Sequence, residues 1–269
     1  MGIKGDNRAW SRSRAGWLAA TASLLACCPF GFAARANDVE RSLDSTRINT
    51  GATSDEDEAV ETHDAIVALL NERGFACSGV LVHPRAVLSA RHCRGIRLAV
   101  FGNDTNRLLM QRRIVSSHTP TERGVDLVLF ELDEPAPVEP YTFSFPADPP
   151  NDVRIVGFGC LDPECRAGAG RRTFFDAPVR PGDWGCLASG ARRLGCRPGL
   201  DFVLNRAEAA DTCVGDSGGG VLMRAGASWT VIAITSRSAA DSILRCGDGG
   251  IYTRLLPYER WLITVLGAL

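Results

Sequence analysis

Between residues 65 and 255 the chain breaks into eleven short runs rich in apolar and β-branched residues, none longer than eight. They cover 65–70, 78–82, 86–89, 97–101, 127–132, 153–158, 173–179, 202–205, 219–223, 229–236 and 251–255, and Gly, Pro, Asn, Asp and Ser punctuate the gaps. Runs this short are too brief for a helix bundle, and their spacing marks an all-β sandwich or barrel. Only the end differs: within 257–268, Trp261, Leu262, Val265 and Leu266 recur at helical intervals after Pro257, which suits a first turn. The spacing predicts a C-terminal helix. With 269 residues, 45% hydrophobic and 23% charged, the chain is neither disordered nor collagenous. Thirty basic against thirty-one acidic residues leave no positive excess to collect phosphates, which argues against a nucleic-acid binder.

The first residues read as an address. Lys4, Arg8, Arg12 and Arg14 precede a stretch from Ala15 to Ala34 without charge, and Ala34-Arg35-Ala36 supplies small residues for a signal peptidase. The apolar core at 17–26 is too short to span a bilayer. Export with removal of residues 1–36 is the expectation. An alternative is a lipoprotein signal at Leu24-Leu25-Ala26-Cys27, with Cys27 lipidated and the protein tethered to a bacterial membrane. Residues 37–47 are a short polar segment, expected to be a propeptide, and 51–64 is an acidic stretch read as a solvated loop.

Of ten cysteines, Cys27 and Cys28 leave with the leader, and Cys77, Cys93, Cys160, Cys165, Cys186, Cys196, Cys213 and Cys246 remain. An even count in an exported protein points to four disulfides. No pair has the two-residue spacing of a zinc site, and no His follows another by three to five positions, so no metal is expected.

Three local patterns carry chemistry: Leu88-Ser89-Ala90-Arg91-His92-Cys93, Asp126-Leu127-Val128-Leu129-Phe130-Glu131-Leu132, and Gly215-Asp216-Ser217-Gly218-Gly219-Gly220. A serine among glycines can expose its hydroxyl on a turn while nearby N–H groups approach a carbonyl oxygen. His92 is a candidate general base, and Asp126 opens an apolar strand where an unpaired carboxylate would be costly. Singly, each has a plainer reading, as a turn serine, a solvent-facing histidine and a turn-capping aspartate. Together and in this order they resemble the trypsin and chymotrypsin family of serine proteases, over nearly all of residues 48–269.

The resemblance implies two packed six-stranded antiparallel β-barrels with a C-terminal α-helix. It implies a triad of His92, Asp126 and Ser217, an oxyanion hole from the N–H groups of Gly215 and Ser217, and no cofactor. Arg47-Ile48 looks like the family's activation site, whose cleavage frees an aliphatic N-terminus that inserts beside the acid before the nucleophile, here Asp216. Asp211, six positions before Ser217, stands where trypsin-like members carry the acid of the primary pocket, which implies cleavage after Arg or Lys. Gly250, Ser236 and Ser238 fall on the walls of that pocket. Arg237 and Ser238 depart from the family's usual Trp and Gly, and Arg237 is expected to disfavour basic substrate residues just upstream of the cut. The resemblance pairs Cys77 with Cys93 and Cys213 with Cys246. Proximity favours Cys160 with Cys165 and Cys186 with Cys196, with the other two connectivities open.

The implied protein is an exported serine endopeptidase made as a zymogen, with residues 48–269 as the protease domain. It would act as a monomer on protein or peptide substrates after an activating protease, without nucleic acid, and without a membrane unless lipidated at Cys27. One rival is a protease-shaped binding module without catalysis, although no triad member is missing. Another is an esterase built on a nucleophile elbow, which the order His, Asp, Ser contradicts.

Overall fold

The computed structural model describes residues 62–107, 110–180, 182, 184, 186–204, 211–244 and 246–269. The leader, Cys27, the polar segment and the Arg47-Ile48 pair lie outside them.

Strands β1 (Ile66–Asn71), β2 (Gly74–His83), β3 (Ala86–Ser89), β4 (Leu98–Phe101), β5 (Met110–His118) and β6 (Val128–Leu132) close into an antiparallel barrel in the order β1-β2-β3-β6-β5-β4. Next come β7 (Thr142–Phe143), β8 (Asp152–Gly157), β9 (Thr173–Pro178), β10 (Asp201–Leu204), β11 (Gly220–Ala225), β12 (Ser228–Ser238) and β13 (Gly250–Arg254). They form a seven-stranded sheet with the path β10-β13-β12-β11-β8-β9, and β7 pairs with β12 in parallel. The second sheet therefore curls without closing, because its end strands β9 and β10 do not pair. Closure of the first lobe removes its exposed edges.

Both faces of β1 are buried, which explains its unbroken apolar run. Val67 and Leu69 meet Leu81, Val87, Phe101 and Phe130 in one cluster of the first lobe. Ile66 faces the other way, into a cluster that joins the lobes through Val80, Leu88 and Leu127 on one side and Val156, Phe158, Leu222 and Ile234 on the other. A 3₁₀ turn (Leu256–Tyr258) leads into α2 (Glu259–Leu266), whose Leu262 is buried in that same cluster. The predicted C-terminal helix thus packs into the core that joins the lobes.

Three elements were not predicted. Strand β5 has the sequence MQRRIVSSH and alternates exposed with half-buried positions, so it shows no apolar run. Strand β7 has two residues. Helix α1 (Ala188–Leu194) has seven, and its one signal is Gly195, left-handed at φ 72° as the C-terminal cap.

Four disulfides form: Cys77–Cys93, Cys160–Cys165, Cys186–Cys196 and Cys213–Cys246. Among the described residues no helix is long and apolar enough to cross a membrane.

Candidate active site

His92 sits on the turn leaving β3, where Cys93 N–H donates to the Ala90 carbonyl and the Cys77–Cys93 bridge ties the turn to β2. Asp126 lies two residues before β6, which pairs with β3, so the sheet brings the two together. The carboxylate accepts from two groups of His92: backbone N–H to Oδ1 at 3.0 Å, and ring Nδ1 to Oδ2 at 2.9 Å with Oδ1 at 3.2 Å. Ser236 Oγ, from β12 in the second lobe, donates to the same Oδ2 at 2.5 Å. Burial alone would push the Asp126 carboxyl up, but the bonds from His92 and Ser236 outweigh it and hold it below the ordinary carboxylate range. An ionised Asp126 fixes the proton on Nδ1, which leaves Nε2 as an acceptor.

The loop 211–219 carries Ser217, and Ser78 on β2 shapes it from the opposite lobe. Ser78 N–H donates to the Ser217 carbonyl at 2.8 Å, its Oγ donates to the Gly215 carbonyl at 2.9 Å, and that Oγ accepts from Phe158 N–H at 2.9 Å. Gly215 is left-handed at φ 98°. At Gly218, φ 83°, a Cβ would fall 2.0 Å from Ser89 Oγ and 2.3 Å from the Ser78 carbonyl, so only glycine fits. The N–H groups of Gly215 and Ser217 donate to no protein acceptor among the described residues. Both residues, His92, Thr212 to Cys213, and Ser236 to Ser238 line one cleft of about 450 Å³. Ser217 and the imidazole share its walls without a hydrogen bond between them.

Two acids of this loop are buried. Asp216 accepts from Gly159 N–H at 2.8 Å and Cys213 N–H at 2.9 Å, and burial pushes its carboxyl up to about 6 against those bonds. Asp211 accepts from Tyr252 Oη and Thr212 N–H, both at 2.7 Å, and burial likewise pushes it up to about 6. Asp211 lies behind Thr212, bounding a small cavity with Asp216, and it is Thr212 that faces the cleft. Gly250 permits this arrangement, since a Cβ there would approach Asp211 Oδ1 to 2.5 Å.

Arg237 does line the cleft, but its guanidinium is engaged. Nη2 donates to the Gly195 carbonyl at 2.7 Å and to Asp201 Oδ2 at 3.0 Å, and Nη1 donates to Ser236 Oγ at 3.0 Å. Asp201 is fully buried and also takes Arg197, whose Nη1 donates to the carbonyl of Gly124. One buried carboxylate thus holds two arginines, one against the hydroxyl that bonds Asp126 and one against the backbone just before it. No local pattern marks Asp201 or Arg197 in the sequence. The one His and Cys group tight enough for a metal among the described residues is Cys77, His92 and Cys93, whose two sulfurs are spent in a disulfide.

A closed barrel and a curled sheet enclosing such a cleft constitute a trypsin-like fold. The family model described as trypsin matches residues 54–262, and the chain belongs to that family. It is 24% identical over 230 residues to a venom plasminogen activator of Agkistrodon piscivorus leucostoma, covering 77% of this chain and 84% of the relative. It is 26% identical over 229 residues to the thrombin-like enzyme acutin of Deinagkistrodon acutus, with 76% and 90% covered. Alpha-fibrinogenase albofibrase of Trimeresurus albolabris is 26% identical over 243 residues, with 77% and 84% covered.

Proposed function

We propose that this protein is an exported serine endopeptidase that cleaves after Arg or Lys with His92, Asp126 and Ser217. The observation that carries this reading is the imidazole gripped by Asp126 on the wall of a cleft that also holds Ser217 and two uncommitted N–H groups. Neutral His92 takes the Ser217 proton through Nε2 as Oγ attacks the scissile carbonyl, and Asp126 stabilises the imidazolium that forms. The carbonyl oxygen, now negative, is received by Gly215 and Ser217 N–H, where loss of a single donor costs about 10² to 10³ in rate. His92 returns the proton to the leaving amine, and water repeats the sequence on the acyl-serine with the same groups.

Asp211 would select the substrate. A carboxyl pushed up to about 6 is costly to ionise alone, and a guanidinium or ammonium reaching it repays that cost with charge-assisted hydrogen bonds. Ser238 and Gly250 would bound the same pocket. Cleavage between Arg47 and Ile48 would supply an ammonium for Asp216, with residues 1–36 and 37–47 as leader and propeptide. Labelling of Ser217 with an organophosphate after trimming at Arg47, with a fluorogenic panel comparing Arg, Lys, Phe, Leu and Ala at the cleaved position, tests the reading. Stoichiometric labelling and turnover of Arg and Lys alone are expected. An unlabelled serine would leave a binding module.

A further inference from the structure

His92 lines two cavities. Beside the cleft lies a second one of about 380 Å³, bounded by Arg91, His92, Arg94, Arg123, Gly124, Val125 and Asp126. Three of these seven are arginines, and the only acid is Asp126, already bonded to His92 and Ser236. Arg91, Arg94 and Arg123 are exposed. None of the three has a carboxylate partner or a hydrogen-bond acceptor among the described residues, whereas nearby Arg97 pairs with Glu72 at 3.2 Å. Arg94 and His92 also line the cleft, so the two cavities share a wall. Arg237, the cation that sequence singles out, is turned toward Asp201 and is not the free charge here.

Three guanidiniums held around one cavity repel one another, and a carboxylate entering it relieves that repulsion while accepting charge-assisted hydrogen bonds. The cavity admits one or two side chains and shares a wall with the catalytic cleft, which fits a residue covalently continuous with the peptide being cut.

We propose that Arg91, Arg94 and Arg123 form a subsite for acidic side chains, so that the preferred substrates are proteins carrying Asp or Glu within a few residues of the cleaved bond. This rests on the protease reading above and specifies its substrate. A long sulfated polysaccharide is the competing occupant, disfavoured because the three cations line one cavity that also borders His92.

The test uses the full chain trimmed at Arg47 and fluorogenic peptides with Arg at the cleaved position. Asp, Ala and Lys are placed in turn at three positions on either side. At one position or more, kcat/KM for Asp should exceed that for Ala by roughly tenfold, with Lys poorer still, and 0.5 M salt should shrink the ratio. R123E should invert the order to favour Lys. Equal rates for all three residues, with the peptides cleaved, would overturn the subsite and leave the protease standing. Heparin inhibiting without any Asp preference would reassign the cavity to a polyanion. If no peptide is cleaved and Ser217 resists labelling, the protease reading fails. Calorimetric binding of an Asp peptide and its Ala counterpart to S217A then decides the cavity by itself, with equal affinities refuting it.

Discussion

Replacing Asp211 by asparagine should stabilise the fold while abolishing the proposed preference for basic residues. In the folded protein burial pushes the Asp211 carboxyl up to about 6, against 3.8 for an ordinary aspartate, so its ionisation at neutral pH costs about 3 kcal/mol of folding free energy. Asparagine removes the charge and keeps an oxygen for Tyr252 Oη and Thr212 N–H, but its amide forfeits about one donor contact, worth about 1 kcal/mol. The net gain at pH 7.5 is about 2 kcal/mol. The sign reverses with acid. Because the folded carboxyl is raised, the wild type carries a protonated Asp211 below about 6 and loses stability as pH rises through that range. The gain from asparagine should therefore vanish near pH 4 and reach its full value above pH 7. Urea denaturation from pH 4 to 8, performed on S217A to prevent self-digestion, measures both. A pH-independent difference, or a variant less stable at pH 7.5, would refute the argument.

Asp201→Asn should cost about 3 kcal/mol, because it strips the buried partner from Arg197 and Arg237 together, and kcat should fall more than KM rises, read by urea denaturation and steady-state kinetics. Gly218→Ala forces a Cβ onto Ser89 Oγ and the Ser78 carbonyl at φ 83°, and thermal denaturation should register a loss of about 3 kcal/mol or more. Asp126→Asn should lower kcat by about 10⁴ with the fold intact, since an amide no longer holds the proton on Nδ1.

How much the sequence revealed depended on whether the signal was local. Strands such as Ala86–Ser89 and Gly250–Arg254 were legible because they are buried throughout, whereas Met110–His118 turns Met110, Gln111 and Arg113 outward and shows no apolar run. His92, Asp126 and Ser217 stood out because each lies in its own pattern. Asp201 and Arg197 did not, because their meeting with Arg237 depends on β10, the turn after α1 and β12 arriving at one place, and nothing near either of them records it. Charge at Arg237 was visible, but its direction was not.

Ser78 belongs to one lobe and, through a single hydroxyl, spans the Gly215 carbonyl and the Phe158 amide of the other. Either half of this chain made separately would thus lack the proposed anion cradle until it met its complement. Mutations that slide the halves against each other, even far from the cleft, should silence the protein before they unfold it.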